Sequence, residues 1–239
     1  MSRALFFIRK NYLVLTVLII TFLAHITYIN NDFVWIDHND IEEEHAVLPL
    51  NKLSKVLFIP FGQTSFYRPM VTLLNSLDFA LYHKWAPGYH FTNLLLHLIA
   101  TLLIGIFLST FWKLTRKQIF WASVVFGIHP MSILIVGAVT RRQESLMLIF
   151  IFLSIYLYAK AREKRKLIYE LPAAVIFFLG LLTKETVLVV VPALAVLWEI
   201  KTWDTLKRAL RLWVMSSLAA LSYLLLRFQA VPKVWSTMG

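Results

Sequence analysis

"YHFTNLLLHLIATLLIGIFLSTFW", residues 89–112, runs 24 residues without an Asp, Glu, Lys or Arg. As a helix it would extend roughly 36 Å, against a bilayer hydrocarbon core about 30 Å thick. A transmembrane helix is the natural reading, and the rest of the chain agrees with it. The 239 residues are 59% apolar with a mean hydropathy of +0.69, against about 45–50% apolar in soluble domains. A soluble fold would leave much of that surface in water. The formal charge of +11 raises nucleic acid as a partner. However, the basic residues come in short clusters between apolar runs, the pattern of membrane topology, so no nucleic-acid partner is expected. With no cysteine, disulfides and thiolate metal sites are excluded.

Working outward, about seven spans are expected in an all-α, polytopic helical membrane protein. The first covers residues 12–29; it is long and lacks a small-residue cleavage site, so it is read as an uncleaved anchor rather than a signal peptide. The second is residues 89–112. The third begins at Ile119 and meets His129–Pro130 after eleven residues, too few to cross. Either "MSILIVGAV" completes a kinked span, or it forms a short helix at the far face. The fourth to seventh cover residues 144–161, 167–183 (interrupted by Pro172), 186–200 and about 210–228. "KTWDTLKRALR", residues 201–211, reads as a basic amphipathic connector.

Seven spans put the N-terminus and the loops after spans two, four and six on one side. That side carries Arg3, Arg9, Lys10, Lys113, Arg116, Lys117, Lys160, Arg162, Lys164, Arg165, Lys166, Lys201, Lys207, Arg208 and Arg211, against Glu163, Glu170, Glu199 and Asp204. The whole charge excess falls on it. By the positive-inside rule this face, with the N-terminus, is cytoplasmic. The outer loop, residues 30–88, then lies on the periplasmic, extracellular or lumenal side. It holds two segments with apolar residues at helical spacing, "HAVLPLNKLSKVLFIPF" and "RPMVTLLNSLDFALYHKW". They are expected to be amphipathic helices lying in the interface and roofing the bundle.

Ionisable residues inside or beside spans are expensive and need partners or a wet cavity. Many here fall on the outer side. Asp37 and Asp40 in "FVWIDHND" (33–40) are either a general base and its neighbour or solvated residues at a helix end. Arg68 in "YRPM" precedes Pro69 at a helix start, where backbone N–H groups also favour anions. It is either a phosphate clamp or a cation reaching for lipid headgroups. His90, Asn93 and His97 share one helix face, for hydrogen bonds to a neighbouring helix or, more weakly, a metal. His129, before Pro130, suits the satisfaction of a helix break. Arg141, Arg142 and Glu144 in "TRRQES" and Lys184–Glu185 in "LLTKETV" stand where spans meet the outer face. They either bind an anion or neutralise one another. There is no glycine-rich nucleotide loop, nucleophile elbow or HExxH.

The fragments "FVWIDH", "YRPM", "YHFTNLLLH", "FGIHP", "RRQES" and "LLTKET" occur in this order between about residues 30 and 190. The ordered set resembles the GT-C membrane glycosyltransferases, in particular the O-mannosyltransferases that carry tetratricopeptide repeats and their bacterial relatives. The resemblance implies a seven-span core with two helices in the first outer loop, so that residues 1–239 form a single GT-C-like transmembrane domain. It implies a polyprenyl-phosphate sugar such as dolichyl phosphate mannose as donor, with membrane lipids and an acceptor protein or glycan as further partners. A mannose-like hexose would move to an acceptor hydroxyl, with inversion, on the non-cytoplasmic face. Asp37 matches the second acid of the family's acidic pair, and Ile36 stands at the first. Arg142 and Glu144 match the family's "GRAD" or "GRAE" segment, and "KET" (184–186) matches fully. "HPMSIL" lacks the acid and histidine of "HPxHTE", and the family's later spans and repeats have no counterpart here.

The resemblance therefore implies Asp37 as base, with Asp40 assisting or joining it in holding a divalent cation, Mg or Mn, through oxygen. Arg68, Arg142 and Lys184 would bind the donor phosphate as charge develops on it. Glu144, Glu185, His90, Asn93 and His129 would support them. The alternative is a noncatalytic lipid-binding or assembly subunit working with other membrane subunits. An enzyme requires these residues around one open cavity.

Overall fold

The computed structural model describes residues 3–112, 114–164, 166–202 and 210–231, with side chains in 12–112, 114–164, 166–200 and 210–231. The described residues are all-α. In chain order they form α1 (Arg3–His25), α2 (Pro69–Tyr82), α3 (Ala86–Phe111), α4 (Arg116–Gly127), α5 (Ser132–Gly137), α6 (Arg142–Lys164), α7 (Leu167–Leu181), α8 (Val187–Thr202) and α9 (Leu210–Ala230). Short 3-10 helices at Ile26–Asn30, Leu50–Phe58 and Val139–Arg141 and one wide turn at His38–Glu42 fill the connections.

Among the described residues, four segments are long and apolar enough to cross a bilayer: Tyr12–Asn30, Ala86–Phe111, Val139–Lys164 and Leu210–Ala230. Leu167–Leu181 and Val187–Ile200 are apolar but shorter. The chain is thus a polytopic membrane protein with four clear spans and two shorter candidates. The expected third span is replaced by two pieces. α4 has 12 residues, roughly 18 Å, well short of the bilayer core. The chain then turns at His129–Pro130, and "MSILIVGAV" supplies α5, a separate six-residue helix. Pro172, expected to interrupt its span, lies inside a continuous α7. It sits early in the helix, where few preceding carbonyls are deprived of a donor. Most of the expected connector at residues 201–211 lies outside the described residues.

Apolar side chains remain on the outside of the bundle, with Leu23, Ile168 and Val189 each more than 60% exposed. That suits lipid as the solvent. Cohesion between helices then rests on close packing rather than exclusion of water. A Cβ on Gly180 would sit 3.1 Å from the Phe150 Cβ and 3.0 Å from Val187, so α6, α7 and α8 approach closely there. A Cβ on Gly127 would lie 2.2 Å from the Thr21 hydroxyl and 3.1 Å from Thr101, which makes glycine the condition for α1, α3 and α4 to meet. Aromatic contacts fill another part of the core: Phe107–Phe111 stacked at 4.7 Å, Phe107–Phe152 tilted at 5.3 Å and Phe111–Trp198 edge-to-face at 4.7 Å.

The outer loop departs from expectation in two ways. Its first segment is a 3-10 helix, Leu50–Phe58. Its second is α2, but the polar face points inward. Val71, Thr72, Asn75, Ser76 and Asp78 are buried, whereas Leu77, Leu81 and Trp85 are exposed. The protein at this end is built from charges and broken backbone. The polar side chains of α2 find their partners there, and Leu77 and Leu81 face outward.

Candidate functional site

The site is framed by the broken backbone of residues 128–141, between α4 and α6, in which the short α5 and the 3-10 turn Val139–Arg141 are set off by non-helical residues. Backbone that leaves a helix at membrane depth must be satisfied by protein. The polar face of α3 does this. His97 Nε2 pairs with the Gly127 carbonyl at 2.9 Å, Asn93 donates to the Ala138 carbonyl at 3.0 Å and to that of Ile135 at 3.3 Å, and the His90 ring reaches the Val136 and Asp32 carbonyls, each at 3.3 Å. From α1, His25 pairs with the Ser132 hydroxyl at 2.8 Å. His129 stays exposed, and its ring accepts the Met131 N–H at 3.2 Å. These residues position the frame, and the ring nitrogens of His90 are occupied by carbonyls rather than facing an open cavity.

Asp37 belongs to the same frame. Its carboxylate is fully buried and accepts the N–H groups of Thr140 at 2.8 Å, Val139 at 2.9 Å and Val34 at 3.3 Å. The Asp37 N–H returns to the Val34 carbonyl at 3.0 Å, closing a turn whose second residue, Trp35, has φ +52. A left-handed Trp costs about 1–2 kcal/mol and is held by these reciprocal bonds. The turn throws Trp35 and Ile36 outward and drives Asp37 under the loop. Asp37 thereby fastens the outer loop to the start of α6.

Asp40 is different. It is 3% exposed, yet its carboxylate has no hydrogen-bond donor among the described residues. Burial and the nearby Asp37 charge push its pKa up to about 6, with His45 and Arg68 pulling the other way. The wide turn His38–Glu42 and the bond from the Ala46 N–H to the Asp40 carbonyl, 3.0 Å, fix its backbone. An Asp poised near neutral pH and unencumbered by donors is the better proton acceptor of the two.

Arg68 stands at the N-cap of α2. The loop before it is closed by the Phe61 N–H to the Phe66 carbonyl, 2.8 Å, with Gly62 in the left-handed region at φ +55. This sets both phenylalanine rings on the guanidinium, Phe66 at 4.2 Å and Phe61 at 5.9 Å. After Arg68, the Met70 N–H donates to the Leu182 carbonyl at 3.1 Å, which pins α2 to the turn between α7 and α8. Burial pushes the Arg68 pKa down, and the charges of Glu185 and Glu144 hold it up. Its buried Nε has no partner, and among the described residues the guanidinium makes no hydrogen bond or ion pair.

The other expected cations are paired. Arg142 is fully buried, donates to Asp78 at 2.7 Å and to the Val139 carbonyl at 3.2 Å, and lies over the Tyr89 ring. Burial raises the Asp78 carboxyl while Arg142 opposes the rise. The pair locks α2 against α6, and Arg142 presents nothing to a ligand. Lys184 bonds Glu144 at 2.6 Å, both half-buried. Glu185 bonds Arg227 of α9 at 2.9 Å, and Arg227 reaches the Tyr223 hydroxyl at 3.2 Å. Arg68, Arg141, Lys184 and Arg227 thus gather at one end of the bundle with Glu144, Glu185 and Asp40, so cations and acids are interleaved there.

Asp37 is engaged with backbone N–H groups, and the described residues hold no group of three His, Asp or Glu able to ligate a metal. Sequence reasoning missed Asp78, Arg227, Tyr223 and the Phe61–Phe66 loop. Asp78 and Arg227 carried a readable signal, since each is the lone charge within an apolar helical stretch.

At the opposite end, Arg162 pairs with Glu199 at 2.6 Å and Tyr158 bonds the same carboxylate at 2.5 Å, while Arg211 meets Glu170. These bonds join α6 to α8 and α7 to α9, away from the cluster around Arg68.

No family model matches the chain, and no solved structure does. Two curated proteins are similar to it. Protein O-mannosyl-transferase F38B6.6 of Caenorhabditis elegans is 28% identical over 200 residues, covering 77% of this chain and 27% of that protein. Protein O-mannosyl-transferase TMTC2 of Homo sapiens is 27% identical over 147 residues, covering 57% of this chain and 17% of that protein. The chain spans about a quarter or less of the length of either relative. It is an all-α membrane protein with weak homology to part of the O-mannosyltransferases.

Proposed function

We propose that this chain carries the donor-phosphate and acceptor-activating site of a glycosyltransferase. In this reading it moves a mannose-like hexose from a polyprenyl phosphate to an acceptor hydroxyl, with inversion. The observation that carries the reading is that Arg68 and Asp40 lie close enough for their charges to interact, yet neither has a hydrogen-bonding partner among the described residues. Asp40 takes the proton of the acceptor hydroxyl as its oxygen attacks the anomeric carbon. The bond from that carbon to the phosphate oxygen breaks, and the charge gained by the departing polyprenyl phosphate settles on Arg68, supported by Lys184, Arg141 and Arg227. A single displacement inverts the sugar and needs no metal. Asp37, His90 and Asn93 hold the frame, and Arg142 holds α2.

Both relatives are named as protein O-mannosyl-transferases, which supports mannose and a protein acceptor. Lys160, Arg162 and Arg211 at the far end support a cytoplasmic face there and an exoplasmic site. The test is transfer from a panel of radiolabelled polyprenyl-phosphate sugars to hydroxyl acceptors by the purified chain. Activity with one donor, lost in Asp40→Asn and Arg68→Gln, is the expected result. Silence across all donors favours a noncatalytic lipid-binding subunit, a reading supported by the self-neutralising pairs Lys184–Glu144 and Arg227–Glu185.

A further inference from the structure

A groove of about 330 Å3 opens between α1, α3 and α4, away from the Arg68 site. Its walls are apolar, among them Val17, Leu102, Ile106 and Phe120. Val14, Leu102 and Ile106 are 37–42% exposed, so the groove is open along its side. Along α3 it extends from Ser109 to Thr101, roughly 12 Å. Gly105 gives it width, since a Cβ there would lie 3.2 Å from the Ser123 hydroxyl. Ser123 is 4% exposed, lines the groove, and has no hydrogen-bond partner among the described residues.

Chemistry along the groove is polarised. Arg116 is its one charged lining residue. It begins α4, where the capping box of Thr115 and Gln118 leaves other first-turn N–H groups facing outward, and it makes no ion pair or hydrogen bond among the described residues. Lys117 follows it, and no acid lines the groove. An apolar slot open to the bilayer with unopposed positive charge at one end matches an amphiphile carrying an anionic head and a long chain.

We propose that this groove binds an acidic phospholipid of the surrounding bilayer, one acyl chain lying between α1, α3 and α4 and the phosphate on Arg116. Such a lipid lies along α4 from Arg116 to Ser123. This site is independent of the sugar-transfer reading.

The test uses the full chain in nanodiscs of equal phosphatidylglycerol and phosphatidylcholine with matched acyl chains, and native mass spectrometry to count retained lipids. Wild type should retain phosphatidylglycerol about five-fold over phosphatidylcholine. Arg116→Gln should abolish that preference while keeping a chain bound. Gly105→Leu, with melting confirmed as unchanged, should lower retention of both lipids. Equal retention by wild type, an intact preference in Arg116→Gln, or displacement of the lipid by millimolar inorganic phosphate would each overturn the proposal. Arg116 is exposed, so its variant folds and decides the matter even where Gly105→Leu does not.

Discussion

Asp40→Asn separates function from stability, because the physics that makes Asp40 reactive also makes it costly. Its pKa is pushed from 3.8 to about 6. Each unit is about 1.4 kcal/mol, so two units cap the cost of the ionised form at ~3 kcal/mol. Relaxation of the site around the buried charge brings this to roughly 1–2 kcal/mol. The sign follows from proton binding. A carboxyl whose folded pKa exceeds its unfolded value binds more protons when folded, so wild type loses stability as pH rises from about 4 through 6. Asparagine carries no charge and is spared that loss. Thermal unfolding in detergent at pH 7.5 should therefore place Asp40→Asn roughly 2–6 °C above wild type, and the gap should close below pH 4. Transfer activity in the same preparation should fall by 100-fold or more. Wild-type kcat/KM should rise with pH through about 6. An Asp40→Asn protein less stable than wild type at pH 7.5, or equally active, would refute the reasoning, because the carboxylate would then be partnered or idle.

Three other variants probe the remaining parts. Asp37→Asn places an NH2 group against the N–H groups of Val139, Thr140 and Val34, so it should cost roughly 2–4 kcal/mol and lower the melting temperature, the reverse of Asp40→Asn; an unchanged melt would mean the loop is anchored elsewhere. Arg68→Gln removes a charge with no hydrogen-bonding partner among the described residues, and its contact with Phe66 is worth about 0.5–1 kcal/mol of stability. Donor KM should rise 10-fold or more, and unaltered donor binding would remove Arg68 from the site. Gly127→Ala drives a Cβ to 2.2 Å from the Thr21 hydroxyl and should cost about 1–3 kcal/mol, most of it restored by adding Thr21→Ala, as chemical denaturation of the single and double variants would report.

What the sequence disclosed and what it hid divide along a physical line. The spans 89–112 and 210–228 were legible because composition over twenty residues dictates where a helix sits in lipid. α4 and α5 were half legible, since Pro130 announces a break without saying which way the chain goes. The facing of α2 was not legible: Val71, Leu77 and Leu81 follow one helical spacing, yet Val71 is buried while Leu77 and Leu81 are exposed. Here the outside is apolar and the neighbouring protein polar, so periodicity alone does not set the facing. Asp37, singled out by resemblance, lies in the candidate region, yet its bonds to residues 139–140 depend on a contact 102 residues distant. No local pattern encodes such a pairing, and the same holds for Arg142 with Asp78.

The contrast among the buried polar groups is itself informative. His25, His90, Asn93, His97 and Asp37 are each matched to a backbone or hydroxyl group exposed by broken helix, and Arg142 is matched to Asp78. Other buried atoms also lack a partner among the described residues, among them Gln143 Oε1, Ser145 Oγ and Ser154 Oγ, but Arg68 and Asp40 differ from these neutral groups in being ionisable. Arg68, held between Phe61 and Phe66, and Asp40, held by its wide turn, have no hydrogen-bonding partner among the described residues. Packing alone would favour leucine or methionine at such positions, and a partnered charge would favour a third residue beside them. Local rules are broken where function demands it. The free hydrogen-bonding capacity of those two side chains is therefore the strongest reason to look for a ligand with an anionic group at one end and an exchangeable proton at the other.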